Sequence, residues 1–333
     1  MMWTLKKIRF ETLIWYWHHR EKHMLKMNQI YNTLAIKKQS FHQKLKRREK
    51  QQEEEEQALL LVSKIRKDHP CMSVREIYFK LNLQCMGRDK FEAFCFQQGY
   101  RVKKQKNFRI TTDSRGVTRF PNIIKDFEVT GVNQVLVSDI TYYEMLGKFY
   151  YITLIMDLFN REIVGYSASK SLRTEDTTLP ALNLARKNRG KAVLKGVIIH
   201  SDGGGQYYSH EFKKLTNSLK MRNSMTEESV YENSHAERLN GTIKNSYLYS
   251  YAPDTFEGLK KELERAVYMY NHEKPHKALN KLSPVEYRRS VSVDFENNSP
   301  HVPSYFPKST ENHHQIYKVN REYKIRSNLV NVI

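Results

Sequence analysis

Residues 135–141 read Val135-Leu136-Val137-Ser138-Asp139-Ile140-Thr141, and this stretch sets the fold. Its β-branched and apolar residues predict a strand, with Val135, Val137, Asp139 and Thr141 on one face. A hairpin is expected at Gly147-Lys148, followed by a continuous apolar run from Phe149 to Met156 that fits a central strand buried on both sides. Arg161 to Ala168 reads as a third strand. Beyond it the periods alternate. Thr174 to Lys187 is helical, Gly196 to His200 is a short buried strand, His210 to Leu219 is helical, and Met221 to Met225 is a brief strand. Ser234 to Tyr249 and Thr255 to Tyr270 close the series as helices.

Three strands joined by hairpins, then alternating helix and strand, define a mixed α/β layer fold. The order βββαβαβα is that of the ribonuclease H fold, with a mixed five-stranded sheet. This core is expected over residues 132–290, and residues 291–333, which are polar and without a strong period, as a loosely ordered tail.

Upstream, the texture is all-α. Residues 1–22 show no clear period and stay unassigned. Met24, Met27, Ile30, Tyr31 and Leu34 recur at helical spacing, and after Ala35-Ile36-Lys37 a second, basic helix runs from Gln39 to Arg48. This is a helix-turn-helix outline. Its basic residues Lys37, Lys38, Lys44, Arg47 and Arg48 are candidate DNA contacts. A separate helix is expected from Gln51 to Lys67, with Glu53 to Glu56 early and Lys64, Arg66 and Lys67 late, as the helix dipole favours. Pro70 ends it. Ser73 and Glu76 form a capping box for the next helix, and Gly87-Arg88-Asp89-Lys90 starts another that ends near Gly99. Residues 23–110 thus form a helical DNA-binding region, joined to the core by a basic linker over 111–131.

The chain carries a net charge of +20 over 333 residues. Residues 1–126 hold +15 of it and residues 127–333 only +5. A basic part beside a nearly balanced part suggests a polyanion-binding region attached to another module. No run of about 18 apolar residues is present, so no transmembrane helix is expected, and the N-terminal apolar stretch is too short for a signal peptide. Met24 and Met27 are further candidate translation starts, and the first residues would also fit a frameshift product. Cys71, Cys85 and Cys95 are odd in number and fit small buried residues of a reducing cytosol; their spacing excludes a disulfide framework and is not that of a zinc site.

Three acids occupy informative places. Asp139 interrupts an apolar strand, where a carboxylate must be paired, solvated at a cleft or bound to a cation. Asp202 follows the apolar strand Val197–His200 and precedes Gly203-Gly204-Gly205, a stretch that can turn sharply and lacks the spacing of a dinucleotide fingerprint. Glu237 falls in the first turn of a helix capped by Asn233 or Ser234. Its helix buries Ala236, Leu239 and Ile243, while Glu237, Asn240 and Lys244 share the adjacent face over roughly 10 Å. Carboxylates so placed suit two Mg²⁺ ions, or Mn²⁺, acting in phosphodiester chemistry.

Four ordered segments carry a resemblance. They are Val137-Ser138-Asp139-Ile140-Thr141-Tyr142; Ile199-His200-Ser201-Asp202-Gly203-Gly204-Gly205-Gln206-Tyr207; Tyr231-Glu232-Asn233-Ser234-His235-Ala236-Glu237-Arg238; and Tyr270-Asn271-His272-Glu273-Lys274-Pro275-His276-Lys277-Ala278-Leu279 with Ser283-Pro284-Val285-Glu286-Tyr287. Residues 134–290 resemble the integrase-type catalytic core of bacterial insertion-sequence transposases of the IS-three group, and residues 24–110 more loosely resemble the helical region before that core.

The resemblance implies a DDE triad of Asp139, Asp202 and Glu237 that is both catalytic and metal-holding. There are 34 residues between Asp202 and Glu237, one fewer than is usual in the group, and the difference falls most easily in the loop Thr226–Glu232. It also implies that Lys244, with Asn240 on the same face, contacts the transposon end, while Gly241 offers no side chain for a second contact. The implied partners are double-stranded DNA at terminal inverted repeats and at the target, bound by a homo-oligomer in the bacterial cytoplasm at the nucleoid, without a membrane. The implied reaction is metal-dependent cleavage of the ends and strand transfer. Two alternatives remain at this level: a repurposed or inactive transposase that only binds DNA, and a ribonuclease H-type nuclease that cuts without joining.

Overall fold

A computed structural model describes residues 2–102, 120–227 and 233–297, and residues up to Arg289 form one compact unit. The linker positions 103–119, residues 228–232 and the tail beyond 297 lie outside the described residues. So do the loop to which the one-residue difference is assigned, apart from Thr226 and Glu227, and all of the expected tail after Asn297.

The first layer is helical: α1 (Met2–His18), α2 (Met27–Thr33), α3 (Lys38–Asp68), α4 (Val74–Leu81) and α5 (Arg88–Gln97). α1 corrects the unassigned reading of residues 1–22. Its aromatic residues obscure a helical period, yet Leu13 is fully buried, with Phe10, Ile14 and Trp17 packed around Ile30, Tyr31, Phe41 and Leu45. α3 also corrects the sequence reading, because the two expected helices are one. Arg48-Glu49-Lys50-Gln51 contains only good helix formers and nothing to break the run. The far half of α3 packs Ala58 and Val62 against Ile77, Phe91 and Cys95 of α4 and α5. The Ser73–Glu76 capping box forms as read, with Glu76 N–H donating to Ser73 Oγ and Ser73 N–H donating to Glu76 Oε2. Of the cysteines only Cys95 is buried; Cys71 is half-buried and Cys85 exposed, which corrects the expectation for those two.

The second layer is a five-stranded sheet of β1 (Val135–Met145), β2 (Lys148–Asp157), β3 (Ile163–Ser169), β4 (Ile198–Ser201) and β5 (Arg222–Met225), in the order β3-β2-β1-β4-β5. β1, β2 and β3 are antiparallel, whereas β4 and β5 run parallel to β1. This is the ribonuclease H-like arrangement expected from the element order. The β1–β2 hairpin turns on Leu146 and Gly147, both at positive φ, and not on Gly147-Lys148. β2 is buried only in its second half, since Lys148 and Phe149 are exposed beyond the packed helices.

Helices cover both sheet faces. α6 (Thr178–Arg189) and α7 (His210–Ser218) lie over Leu136, Ile155, Val164 and Ile199. α8 (Ser234–Ile243) and α10 (Phe256–His272) lie over Val135, Val137, Leu154 and Met156. Between α8 and α10 the chain makes a π turn at Lys244–Leu248 and a short α9 (Tyr249–Tyr251). α11 begins at Pro284 and continues to Asn297, so the first residues assigned to the polar tail are helical.

Candidate active site

β1 presents Val135, Val137 and Asp139 toward α8. The parallel register pairs Val137 with His200 and Ser138 with Ser201, so the next step along the two strands sets Asp202 beside Asp139. Asp202 lies just past the end of β4, where its Oδ1 accepts from the Gly204 N–H at 3.1 Å. Gly204 leaves that loop room, because a Cβ there would stand 3.0 Å from Asp202 Oδ1.

The two aspartates are electrostatically exposed to each other. Burial, then the neighbouring charges of Asp202 and Glu237, raise the Asp139 carboxyl well above the usual carboxylate range. Burial raises that of Asp202. Asp139 Oδ1 accepts from the Ile140 N–H at 2.9 Å, and Oδ2 from Asn240 Nδ2 at 2.8 Å.

Glu237 is exposed in the first turn of α8, at the rim of this pair. Among the described residues no three acidic, histidine or cysteine side chains converge as a ready metal cluster. The structure therefore brings Asp139 and Asp202 together and leaves Glu237 close enough for its charge to reach Asp139 but outside a closed cluster. Asn240, one turn along α8, occupies the place facing Asp139.

Asn240 and Lys244, the expected DNA contacts of α8, both bond to β1. Asn240 is buried on Asp139. Lys244 donates from Nζ to the Tyr142 carbonyl at 3.1 Å, and burial lowers its pKa although Asp139 acts in the opposite direction. In the helical layer Lys37, Lys38, Lys44 and Arg47 are exposed, whereas Arg48 is half-buried and donates from Nη1 to both carboxylate oxygens of Glu11 at 2.7 and 2.8 Å.

Two supports escaped the sequence reading. Asn233 donates from Nδ2 to the Ser138 carbonyl at 3.0 Å, fixing the start of α8 against β1. Ser138 Oγ is 2.9 Å from the hydroxyl of Tyr207, which is buried under the Asp202 loop. Asn233 before a helix reads as a cap and Ser138 as an ordinary strand residue; only their tertiary partners reveal the second role. His235 is also held neutral here, since burial and then Arg161 push it down to about 4.

An aspartate on the central strand, a second just past the end of the adjacent parallel strand and an acid in the first turn of the helix laid over them make up the candidate site of this ribonuclease H-like fold. Integrase core domain profiles match residues 129–229 and 220–284. The chain is 30% identical over 207 residues to the insertion element IS600 31 kDa protein of Shigella sonnei, covering 61% of this chain and 75% of that one. It is 32% identical to a transposase-like protein of Haemophilus influenzae, covering 49% and 74%. It is 27% identical to the transposase InsF of insertion sequence IS3A of Escherichia coli, covering 57% and 67%. The chain belongs to the integrase-core transposases of the IS3 insertion-sequence group, a family of DNA phosphoryltransferases acting in transposition and integration.

Proposed function

We propose that Asp139, Asp202 and Glu237 are the catalytic acids with which this transposase cleaves the ends of its insertion sequence at terminal inverted repeats and joins them to target DNA. The observation carrying this reading is the β1–β4 register, which sets two carboxylates side by side beneath the helix that bears the third. The donor set fits divalent cations: the paired aspartates supply hard oxygens, and among the described residues the side-chain hydrogen bond to Asp139 comes from the neutral Asn240. Asp139 and Asp202 would hold Mg²⁺ or Mn²⁺, with Glu237 joining from the rim. When bound, such ions activate an attacking hydroxyl and stabilise the leaving oxygen.

The chain's own residues supply the rest. Asn240 orients Asp139. Asn233 and Ser138 tie α8 to the strand that carries it. Lys244 is a cation within electrostatic reach of Asp139, placed to meet a DNA phosphate after leaving the Tyr142 carbonyl. The exposed Lys37, Lys38, Lys44 and Arg47 of the helical layer would grip the ends. Release of counterions from those phosphates makes end binding steeply salt-dependent. The protein would act as a homo-oligomer on DNA in the bacterial cytoplasm; no helix among the described residues is long and apolar enough to cross a membrane.

The test is strand transfer with Asp139→Asn, Asp202→Asn and Glu237→Gln. Each should abolish joining while end binding persists. Retained joining in any of them would overturn the assignment of that acid. Cleavage without joining by the native protein would favour a nuclease instead.

A further inference from the structure

The last sequence motif of the core, Tyr270-Asn271-His272-Glu273-Lys274, takes no part in the carboxylate site, yet it is densely bonded. Asn271 clamps the start of β3, accepting from the Ile163 N–H and donating to the Ile163 carbonyl, both at 2.9 Å. Glu273 and Lys274 reach across to the helical layer. Lys80 Nζ is 2.6 Å from Glu273 Oε2, and Lys274 Nζ is 3.0 Å from Glu76 Oε1. The two pairs are of opposite sense, so the contact is charge-complementary in one orientation only.

Beside them, the end of α3 reaches the segment that follows the catalytic helix. His69 is buried, with Nδ1 3.1 Å from the Tyr247 hydroxyl and Nε2 3.7 Å from Glu273 Oε2. Cys71 Sγ lies 3.5 Å from the Asn245 carbonyl and 3.6 Å from Ser250 Oγ. The Asp68 carbonyl accepts from the Tyr251 hydroxyl at 2.5 Å, and the Asp68 carboxylate pairs with Arg265 at 2.9 Å. Asn245 and Tyr247 belong to the π turn, and Ser250 and Tyr251 follow it directly.

A π turn holds one residue more than a helical turn, and its place decides how the helix before it is rotated. That helix is α8, with Glu237, Asn240 and Lys244 on one face. Such turns are rare and occur mostly as single turns within helices, frequently at functional sites. Here the turn's surroundings come from the helical layer, through His69 and Cys71, and from the core, where the Tyr143 hydroxyl donates to the Leu248 carbonyl at 3.3 Å.

We propose that residues 68–71, clamped by the Lys80–Glu273 and Glu76–Lys274 pairs, are a positioning element of the active site. They hold the π turn through Tyr247 and thereby set α8 against Asp139. His69 and Tyr247 are positioning residues, and the contact is a fixed brace that stays closed during the reaction. The inference rests on the reading of Glu237 and Asp139 as catalytic.

The experiment uses the full chain and DNA carrying the element's ends. Lys80→Glu and Glu273→Lys are compared singly and together. At saturating DNA each single reversal should slow joining at least about tenfold while changing the end-binding Kd less than about twofold; the double exchange should recover most of the rate. Ser250→Cys, in a Cys85→Ser background, should form a disulfide with Cys71 on oxidation, and the oxidised protein should join ends as fast as the reduced one. Single reversals with native rates, a double exchange no faster than the slower single, or a disulfide that fails to form would each overturn the proposal. So would a locked protein that is inactive until reduced, since the contact would then have to open. If the single variants do not fold, the lock alone decides. An inactive native chain, or an active Glu237→Gln control, would count against the catalytic reading first and remove the positioning role with it.

Discussion

Asn240 Nδ2 donates to Asp139 Oδ2 at 2.8 Å, joining the helix that carries Glu237 to the strand that carries Asp139. This bond favours the charged form of a carboxylate that burial and two neighbouring acids disfavour. Asn240→Ala should therefore leave the fold in place but lower joining by about 10- to 100-fold, in line with the loss of an outer partner of a metal-binding carboxylate. Single-turnover joining on pre-bound ends measures it. A rate within twofold of native would place Asn240 outside the reaction and return it to the role of a DNA contact.

The same crowding of acids makes a prediction for stability. Burial and the Asp202 charge raise the Asp139 carboxyl well above its unfolded value. A carboxylate shifted upward on folding opposes the native state at neutral pH, and that opposition is relieved as pH falls through the raised value. Asp139→Asn should accordingly raise the melting temperature in the presence of a chelator while abolishing joining. Added Mg²⁺ should raise the melting temperature of the native chain and leave the variant nearly unmoved. A variant that melts below the native chain under chelation would mean that the aspartate is structurally satisfied.

The core was readable because its signals are local. Val135–Thr141 is rich in apolar and β-branched residues, Asp139 interrupts it, and Asp202 stands between an apolar strand and three glycines. What stayed hidden depends on partners distant in sequence. α1 looked aperiodic because its aromatic residues face both Phe41 and solvent, so burial there is set by α2 and α3. Asn240 and Lys244 share a helix face with Glu237, and spacing alone shows no more than that. Their inward bonds to Asp139 and the Tyr142 carbonyl appear only when β1 is laid beneath α8. The π turn leaves no mark on the helical period from Ser234 to Tyr249, because its partners, His69 and Tyr143 among them, are distant in sequence.

Gly165 sets how closely α6 approaches β3. A Cβ at this position would run into the Ala181 carbonyl oxygen and come within 3.0 Å of the Ala185 Cβ. The obstacle is helix backbone, so the helix as a whole must move. Gly165→Ala should cost about 3 kcal/mol, the upper part of the range for overpacking a core. Urea unfolding should show the midpoint falling with little change in slope. A loss below about 0.5 kcal/mol would show that α6 slides freely over the sheet.

His276 gives the fold an acid limit. Burial against Tyr270, with Lys274 nearby, pushes its imidazole down to about 3. In the unfolded chain it titrates near the ordinary value of about 6.5. A base depressed on folding contributes stability that is complete above its unfolded pKa and is lost as pH falls toward the folded one. Between about pH 6 and pH 4 unfolding thus takes up about one proton at this residue, a slope of about 1.4 kcal/mol per pH unit. Stability measured by denaturant across that window should fall less steeply by about this amount in His276→Gln than in the native chain. If the two slopes coincide, His276 already carries its proton in the folded protein, and its packing on Tyr270 must admit a charge.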